Sequence, residues 1–246
     1  MKELSNYAVL SRTGPKHKFN QDNVMAYSED GKNGFLLICD GVGGYLGGEV
    51  ASRIAGTIVY KSYVNKDPSM NWSDWFLETI KMIKEELENE IIKNPNLVDM
   101  ATTLCLAIIE NNHLYVFNIG DSMCYIYDRN GQRTLTTAQN LYNHLQKNGN
   151  LSALAMNANA KQLASLVNFV SARNPKRIWF DLNEVDLNGD EIIMVCSDGV
   201  YKFAKFTYFD LVGFNSVEIC EKVISSAIMN DTNDDASVGV WCHGKA

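Results

Sequence analysis

Short apolar runs that end beside an aspartate recur along this chain. Short apolar runs bounded by turn residues are typical of β-strands, and an Asp-Gly or Gly-Asp pair is typical of a turn next to a strand. One such turn carries no function by itself, because Asp bonds its own backbone and Gly accepts positive φ. Several of them can bring carboxylates together, where they would bind hard cations. The aspartates concerned are Asp22, Asp40, Asp121, Asp198 and Asp234.

Successive apolar runs in the middle of the chain predict an antiparallel meander. They cover residues 104–109, 113–119, 123–127 and 132–136, and turn residues separate each run from the next. Corners such as Asp128-Arg129-Asn130-Gly131 favour tight hairpins between neighbouring strands.

Strands and amphipathic helices alternate along the rest of the chain. Further strands are predicted at residues 35–39, 191–196 and 237–242. Apolar residues three or four apart predict helices at residues 48–63, 72–92 and 217–229. This interleaving predicts an α+β layered fold.

The bulk composition predicts one domain over residues 1–246. The chain is 46% hydrophobic, enough for a substantial core, and no Pro/Ser/Gly-rich linker marks a boundary. Its apolar runs are far shorter than a membrane span of about 20 residues, and the first residues lack the apolar core of a signal peptide. We therefore expect a cytoplasmic protein that does not bind membranes. We also expect it to be a monomer.

Cysteine usage and net charge argue against two other kinds of protein. The six cysteines are scattered without a Cys-x-x-Cys pair, so we expect small core residues in a reducing compartment rather than a zinc site. The net charge of -7 argues against a nucleic-acid partner.

The segments around the aspartates resemble the motifs of one enzyme family. Asn20-Gln21-Asp22 is similar to its first acidic motif, Asp40-Gly41-Val42-Gly43-Gly44 to its DGxGG motif, and Gly120-Asp121-Ser122 to its GDS turn. Ser197-Asp198-Gly199 is similar to the SDG motif, Asp234-Asp235-Ala236-Ser237 to the closing motif, and Ala101-Thr102-Thr103 to the GTT stretch. In this order they resemble the metal-dependent PPM family of serine/threonine phosphatases, the protein phosphatase 2C type, in its short bacterial form.

The resemblance implies both a fold and a reaction. The implied fold is α+β, with a central sandwich of two antiparallel β-sheets flanked by α-helices on both sides and the metals in a cleft at one end. The implied reaction is hydrolysis of phosphoserine and phosphothreonine in proteins by a water that two core Mn²⁺ or Mg²⁺ ions activate. The expected substrate is a phosphorylated protein, either a Ser/Thr kinase or one of its targets.

Metal ligands follow from the same resemblance. Asp40 would bridge the two ions, and the carbonyl oxygen of Gly41 would help to hold one of them. Asp22, Asp198 and Asp234 would complete the shells directly or through waters. The glycines after Asp40 have a physical reason to be there, because a bulky side chain would obstruct the turn that presents the carbonyl.

Asp121 and the stretch 140–175 are expected to form a more peripheral part of the site. In bacterial members that the sequence resembles, the equivalent aspartate holds a third, weaker metal ion near a flap. The alternative for Asp121 is a β-turn cap beside Ser122. The flap is expected within residues 140–175, which contain a helical patch at 161–166.

Some positions depart from the family pattern. His17 stands where an arginine usually clamps the substrate phosphate, and a histidine still donates a hydrogen bond there. We assign His17 to substrate phosphate; the alternative is a solvated loop histidine. Met123 replaces a common arginine, and Val42 replaces the histidine that many eukaryotic members use on the leaving group.

Two other functions are considered. One is a catalytically weak or inactive relative that binds a phosphoprotein or kinase, although such a protein has no reason to keep repelling carboxylates without metals. The other is a nucleotide-binding module with residues 41–48 as a phosphate loop, but this stretch lacks the Gly-Lys-Ser/Thr ending.

Overall fold

The computed structural model describes residues 6–42, 46–149, 159–173 and 178–244. The strands in these residues are β1 Tyr7–Arg12, β2 Asp22–Ser28, β3 Gly34–Asp40, β4 Leu104–Glu110, β5 His113–Ile119, β6 Met123–Asp128, β7 Gly131–Thr134, β8 Asp181–Asp186, β9 Ile192–Cys196 and β10 Ala236–Cys242. The α-helices are α1 Gly48–Val64, α2 Trp72–Lys93, α3 Leu141–Lys147, α4 Ala160–Leu163, α5 Asp198–Tyr201, α6 Tyr208–Leu211 and α7 Ser216–Met229, and Pro95–Leu97 forms a 3-10 turn.

Two antiparallel sheets pack face to face. Sheet A has the strand order β1-β10-β9-β6-β7, and sheet B has the order β2-β3-β4-β5-β8. Leu36 and Ile38 from sheet B are fully buried against Val195 and Trp241 from sheet A. Each large apolar side chain buried in this way contributes about 1.5–3 kcal/mol by leaving water.

Helices cover the outer faces of both sheets. Helices α1 and α2 pack on sheet B, where Phe76 stacks on Phe117 with 4.4 Å between the ring centroids. Helix α7 packs on sheet A through Ile219 and Val223. Strands β3 and β4 are apolar without alternation because both of their faces are covered. The predicted fold, a sandwich of two antiparallel sheets with helices on both sides, is confirmed.

The predicted four-strand meander is wrong at its centre. Strands β4 and β5 form one hairpin in sheet B, and β6 and β7 form another in sheet A. The chain crosses from one sheet to the other at Gly120-Asp121-Ser122. The hydrophobic pattern does not show this crossing. The strand before the turn, β5, and the strand after it, β6, both contain buried apolar residues.

Three strands were not predicted from the sequence. β1 and β2 are only partly buried, and their apolar runs, residues 7–10 and 24–27, are only four residues long. β8 is an edge strand of sheet B with the polar sequence DLNEVD. All three are recognised only through their partners, which are β10, β3 and β5.

Part of the expected flap is described. Residues 150–158 and 174–175 of the stretch 140–175 lie outside the described residues. The remainder contains α3 and α4, and a β-bridge joins Asn140 to Leu166. The predicted helical patch at 161–166 is helical only as far as Leu163.

The cysteines and the helices of the fold bear on two predictions that were made from composition. All six cysteines are buried, as predicted for core residues. Among the described helices, none combines the length and the apolar character that crossing a bilayer requires.

Candidate active site

A cleft of about 660 Å³ at one end of the sandwich brings together four of the five predicted aspartates. Asp40, Asp121, Asp198 and Asp234 line it, although they come from four separate parts of the chain. His17 lines the same cleft. The structure therefore gathers most of the predicted site residues in one place.

Asp40 is the last residue of β3, and hydrogen bonds hold both its backbone N–H and its backbone carbonyl. Its N–H donates to the Thr103 hydroxyl at 2.9 Å, and its carbonyl accepts from the Thr103 N–H at 2.8 Å and the Thr102 hydroxyl at 3.0 Å. The stretch that resembles the GTT motif thus positions the backbone of Asp40 and leaves its carboxylate for the cleft.

Gly41 lies where no side chain fits. A Cβ at this position would come within 2.5 Å of the carbonyl carbon of Gly48 and 2.8 Å of the carbonyl oxygen of Gln21. The Gly41 N–H donates to that same Gln21 oxygen at 3.1 Å. This agrees with the expected need for glycine here; Gly43 and Gly44 of the motif lie outside the described residues.

The turns that carry Asp198 and Asp234 are tied to each other. The Ser197 N–H donates to the Ser237 carbonyl at 3.0 Å, and the Ser237 N–H donates to the Ser197 hydroxyl at 3.0 Å. Asp198 follows Ser197 as the first residue of α5. The ends of β9 and β10 therefore hold the two carboxylates at a fixed separation.

The position of Asp22 relative to the cleft could not be predicted from its motif. It pairs directly with Asp40 across β2 and β3, but of the first acidic motif the described cleft wall contains Gln21 and not Asp22. Burial raises the pKa of Asp22 to about 7, although the hydroxyls of Ser237 and Ser197 oppose the shift. Its role as a metal ligand remains a prediction.

Burial and, after it, the crowding of carboxylates determine the electrostatics of the cleft. Burial, followed by the charges of Asp22 and Asp198, raises the pKa of Asp40 well above its usual range. Burial and Asp198 raise the pKa of Asp121 to about 6, and they also raise that of Asp234. Bound cations would relieve both the desolvation and the repulsion. An all-oxygen set of carboxylates and a carbonyl fits Mg²⁺ or Mn²⁺.

Asp235 is a site residue to which the sequence assigned no role. It is 3% exposed and accepts the Gly14 N–H at 2.8 Å and the Gln21 N–H at 2.7 Å. Its Oδ2 lies 3.0 Å from Nδ1 of His17. Contact with Asp235 raises the pKa of His17, burial opposes this, and the charges of Asp235 and Asp234 add to it. Its signal in the sequence was its place in the closing motif, Asp234-Asp235-Ala236-Ser237, in which a role was assigned to Asp234 alone.

Two further positions clarify the departures from the family pattern. Met123 lines a different cavity, on the outer face of sheet A, so it does not occupy the cleft. Val42 lies in the cleft wall, where it supplies no proton.

Asp121 lies in the crossing between the sheets and is 8% exposed. The backbone of the preceding Gly120 is held by Gln139, whose side-chain oxygen accepts its N–H at 2.8 Å. The Ser122 hydroxyl bonds the Thr103 hydroxyl at 2.9 Å. The crossing turn is therefore tied to the backbone anchor of Asp40.

Lys202 is the second site residue that the sequence did not indicate. It follows α5, and its Nζ lies 2.5 Å from Oδ2 of Asp198. The i, i+4 spacing on the helix brings the two side chains together. The ammonium of Lys202 thus faces the same cleft as the carboxylates.

Clustered carboxylates at the strand ends of a two-sheet sandwich define a metal-dependent hydrolase. A family model described as protein phosphatase 2C matches residues 15–231. A putative protein phosphatase of Mycoplasma genitalium is 29% identical over 95% of this chain and 94% of its own length. The chain therefore belongs to the protein phosphatase 2C family of metal-dependent serine/threonine phosphatases.

Solved structures agree on the fold. The Mycobacterium tuberculosis serine/threonine phosphatase PstP/Ppp has a TM-score of 0.80 at 20% identity, covering 96% of this chain and 97% of that one. The catalytic domain of PstP in complex with two manganese ions has a TM-score of 0.77 at 20% identity, covering 96% of each chain. None of these matches favours an inactive relative.

Proposed function

We propose that this chain removes phosphate from phosphoserine and phosphothreonine in proteins at the cleft of Asp40, with two Mn²⁺ or Mg²⁺ ions bound there. The observation that carries the proposal is the gathering of four carboxylates around one cleft, with the pKa of Asp40 raised by burial and by its neighbours. Such a group is costly to ionise unless cations bind to it.

Two bound cations would neutralise phosphate charge and make a water acidic enough to attack phosphorus. In this proposal, Asp40 and the Gly41 carbonyl would hold the ions, and Asp22, Asp198 and Asp234 would complete the shells directly or through waters. The catalytic domain of PstP, which was solved with two manganese ions, has the same fold. This similarity supports two core ions in the present chain.

His17 is assigned to the substrate phosphate. It lines the cleft, and Asp235 holds its Nδ1 side. Nε2 lies 3.8 Å from Oδ1 of Asp234, at the edge of the proposed metal centre. A protonated imidazole in this place donates a charge-assisted hydrogen bond to a phosphate oxygen.

The proposal extends to the cellular setting. The substrate is a phosphoprotein, either a Ser/Thr kinase or one of its targets, and the enzyme acts in the cytoplasm as a monomer with one catalytic domain over residues 1–246. The flap lies within residues 140–175. Buried cysteines in both sheets are compatible with a reducing compartment.

Metal dependence provides the first test. Hydrolysis of a phosphothreonine peptide should stop in EDTA and return with Mn²⁺ or Mg²⁺ but not Ca²⁺, whose larger radius changes the spacing of the ions. Asp40→Asn should abolish turnover while circular dichroism shows a folded chain. Asp186→Asn is the matched control, because that strand-end aspartate is 92% exposed.

Two results would contradict the proposal. One is turnover that persists in EDTA. The other is an Asp40→Asn chain with the activity of the Asp186→Asn chain. Metal-dependent binding of the peptide without turnover would instead favour the inactive binding module.

A further inference from the structure

Gln139 holds both backbone groups of Gly120. Its side-chain Oε1 accepts the Gly120 N–H at 2.8 Å, and its own N–H donates to the Gly120 carbonyl at 2.9 Å. Gly120 directly precedes Asp121, whose carboxylate group belongs to the lining of the cleft. A single residue therefore fixes both peptide bonds of the glycine that leads into Asp121.

The same glutamine also holds the proposed flap, within residues 140–175. The Gln139 carbonyl accepts the N–H of Val167 at 3.0 Å, and Oε1 accepts Nδ2 of Asn168 at 2.6 Å. Oε1 thus receives one hydrogen bond from the turn before Asp121 and one from the flap. An amide oxygen has two lone pairs, so both are used.

This connection is buried and has a defined orientation. Gln139 is 7% exposed and Asn168 is 1% exposed. Nε2 of Gln139 donates to Oδ2 of Asp181 at 2.8 Å and to the Asn118 carbonyl at 3.2 Å. Because the Gly120 N–H only donates and the Asn118 carbonyl only accepts, they allow one orientation of the amide. A buried polar group that loses its partner is costly, so the turn and the flap are not independent of each other.

The flap segment bonded to Gln139 is also a wall of the catalytic cleft. An antiparallel β-bridge joins Asn140 to Leu166. Ser165 and Leu166 line the cleft, whereas Gln139 and Val167 line a second cavity, of about 830 Å³. A substrate in the cleft would therefore contact a wall whose next residues bond to Gln139.

We propose that Gln139 is a positioning residue that couples the flap to Asp121, so that a substrate seated against the flap sets the Asp121 turn for the reaction. The inference rests on the proposed phosphatase function and names a residue through which the flap acts on that site. Gln139 does not touch the substrate, because it acts through the backbone of Gly120.

A double-mutant cycle on a phosphothreonine peptide, in saturating Mn²⁺, tests the inference. Gln139→Met keeps the length of the side chain and removes its amide, so kcat should fall about ten- to hundredfold through misplacement of Asp121. In the Asp121→Asn chain, the same change should lower kcat by less than about twofold, because no carboxylate is left to position. A purely structural role of Gln139 would give additive losses instead.

Amide hydrogen exchange measures the coupling without turnover. In NMR spectra, the Gly120 N–H should exchange about tenfold faster in Asn168→Ala than in wild type, although Asn168 makes no hydrogen bond to Gly120. This variant leaves Gln139 intact and serves equally if Gln139→Met does not fold. Gln146→Met is the matched control, because its exposed side chain lines the same second cavity, and it should change neither kcat nor the exchange rate.

Several results would overturn the inference and leave the phosphatase proposal in place. They are unchanged Gly120 exchange in Asn168→Ala, additive losses in the cycle, an Asp121→Asn chain with wild-type kcat, and equal losses in Gln146→Met and Gln139→Met. A wild-type chain that does not hydrolyse the peptide in Mn²⁺ would contradict the proposed function, and the exchange rates would still decide whether flap and turn are coupled.

Discussion

Asp235 holds the loop that carries His17 and Gln21. Its carboxylate accepts two backbone N–H groups from the two ends of that loop, at Gly14 and at Gln21. Hydrogen bonds to a buried carboxylate are stronger than neutral ones, so the loop is fixed at both ends. His17 therefore reaches the cleft in a defined orientation, although a loop histidine would otherwise be free to move.

His17 gives a prediction at the scale of one residue. In its proposed role, His17 donates a charge-assisted hydrogen bond of roughly 1.5–3 kcal/mol to the substrate phosphate, so His17→Ala should lower kcat/KM on a phosphothreonine peptide about ten- to hundredfold. His17→Arg should retain or raise activity, because a guanidinium can bind two phosphate oxygens at once.

Lys18→Ala is the control for this experiment, because Lys18 lies beside His17 but has its Nζ over the exposed ring of Phe19. It should change kcat/KM much less than His17→Ala, while Mn²⁺ affinity stays the same in both. Equal kcat and KM in His17→Ala and wild type would show that Lys16, Lys18 or another group binds the phosphate.

At the scale of secondary structure, a hydrogen-bonded connection through Thr103 joins the two sheets at the site. The Thr103 hydroxyl, at the start of β4, joins the backbone of Asp40 at the end of β3 to Ser122 in the turn before β6. Gly120 approaches Thr103 closely with a φ of 109°, and a Cβ there would lie 2.6 Å from Cβ of Thr103. Sheet B and sheet A are therefore connected at the cleft by small residues.

Thr103→Val tests this connection. Valine has nearly the same shape but cannot accept the Asp40 N–H, so a buried donor loses its partner and the free energy of unfolding should fall by about 1–3 kcal/mol. Mn²⁺ affinity should weaken as well, because Asp40 is no longer fixed. Urea unfolding and manganese titration measure the two effects.

Thr57→Val provides the comparison, since the Thr57 hydroxyl bonds a carbonyl on the exposed surface of α1. It should leave both quantities nearly unchanged. If Thr103→Val behaves in the same way, the cross-connection has no part in shaping the site.

The sequence predicts elements better than it predicts their partners. Strand β3 and helix α2 were placed to within a residue or two, because burial on both faces or on one helical face leaves a clear pattern. The change of sheet at Asp121 was missed, since local pattern does not encode which sheet a strand joins. Lys202 was missed for another reason. It joins the site only because a helical turn brings its side chain to Asp198.

The whole molecule carries an excess of buried acid, which predicts how stability depends on pH without metals. Asp22 and Asp121 have pKa values raised to about 7 and about 6, whereas an unfolded aspartate ionises near about 3.9. Between these values the native chain holds protons that the unfolded chain has lost, so stability falls as pH rises. The raised pKa of His17 acts in the same direction, and the lowered pKa of His243 opposes it only below about 6.5.

In EDTA, the melting temperature should therefore fall between about pH 5 and pH 8. Saturating Mn²⁺ should raise it, and by more at the high end, because protons compete with the metal at low pH. Differential scanning calorimetry measures both profiles. Asp22→Asn should flatten the profile in EDTA, and a melting temperature that rises with pH in the metal-free wild type would contradict the assignment of these shifts.

The pairing of β1 with β10 has a consequence for how the enzyme is made. Asp234 and Asp235 immediately precede β10, while the loop with His17 immediately follows β1, and the two strands pair in register from Tyr7 with Trp241 to Arg12 with Ala236. During synthesis, the cleft therefore stays incomplete until β10 has left the ribosome and paired with β1. We expect a chain that has not yet formed this pair to be inactive, because the residues on the two sides of the proposed site are not yet together.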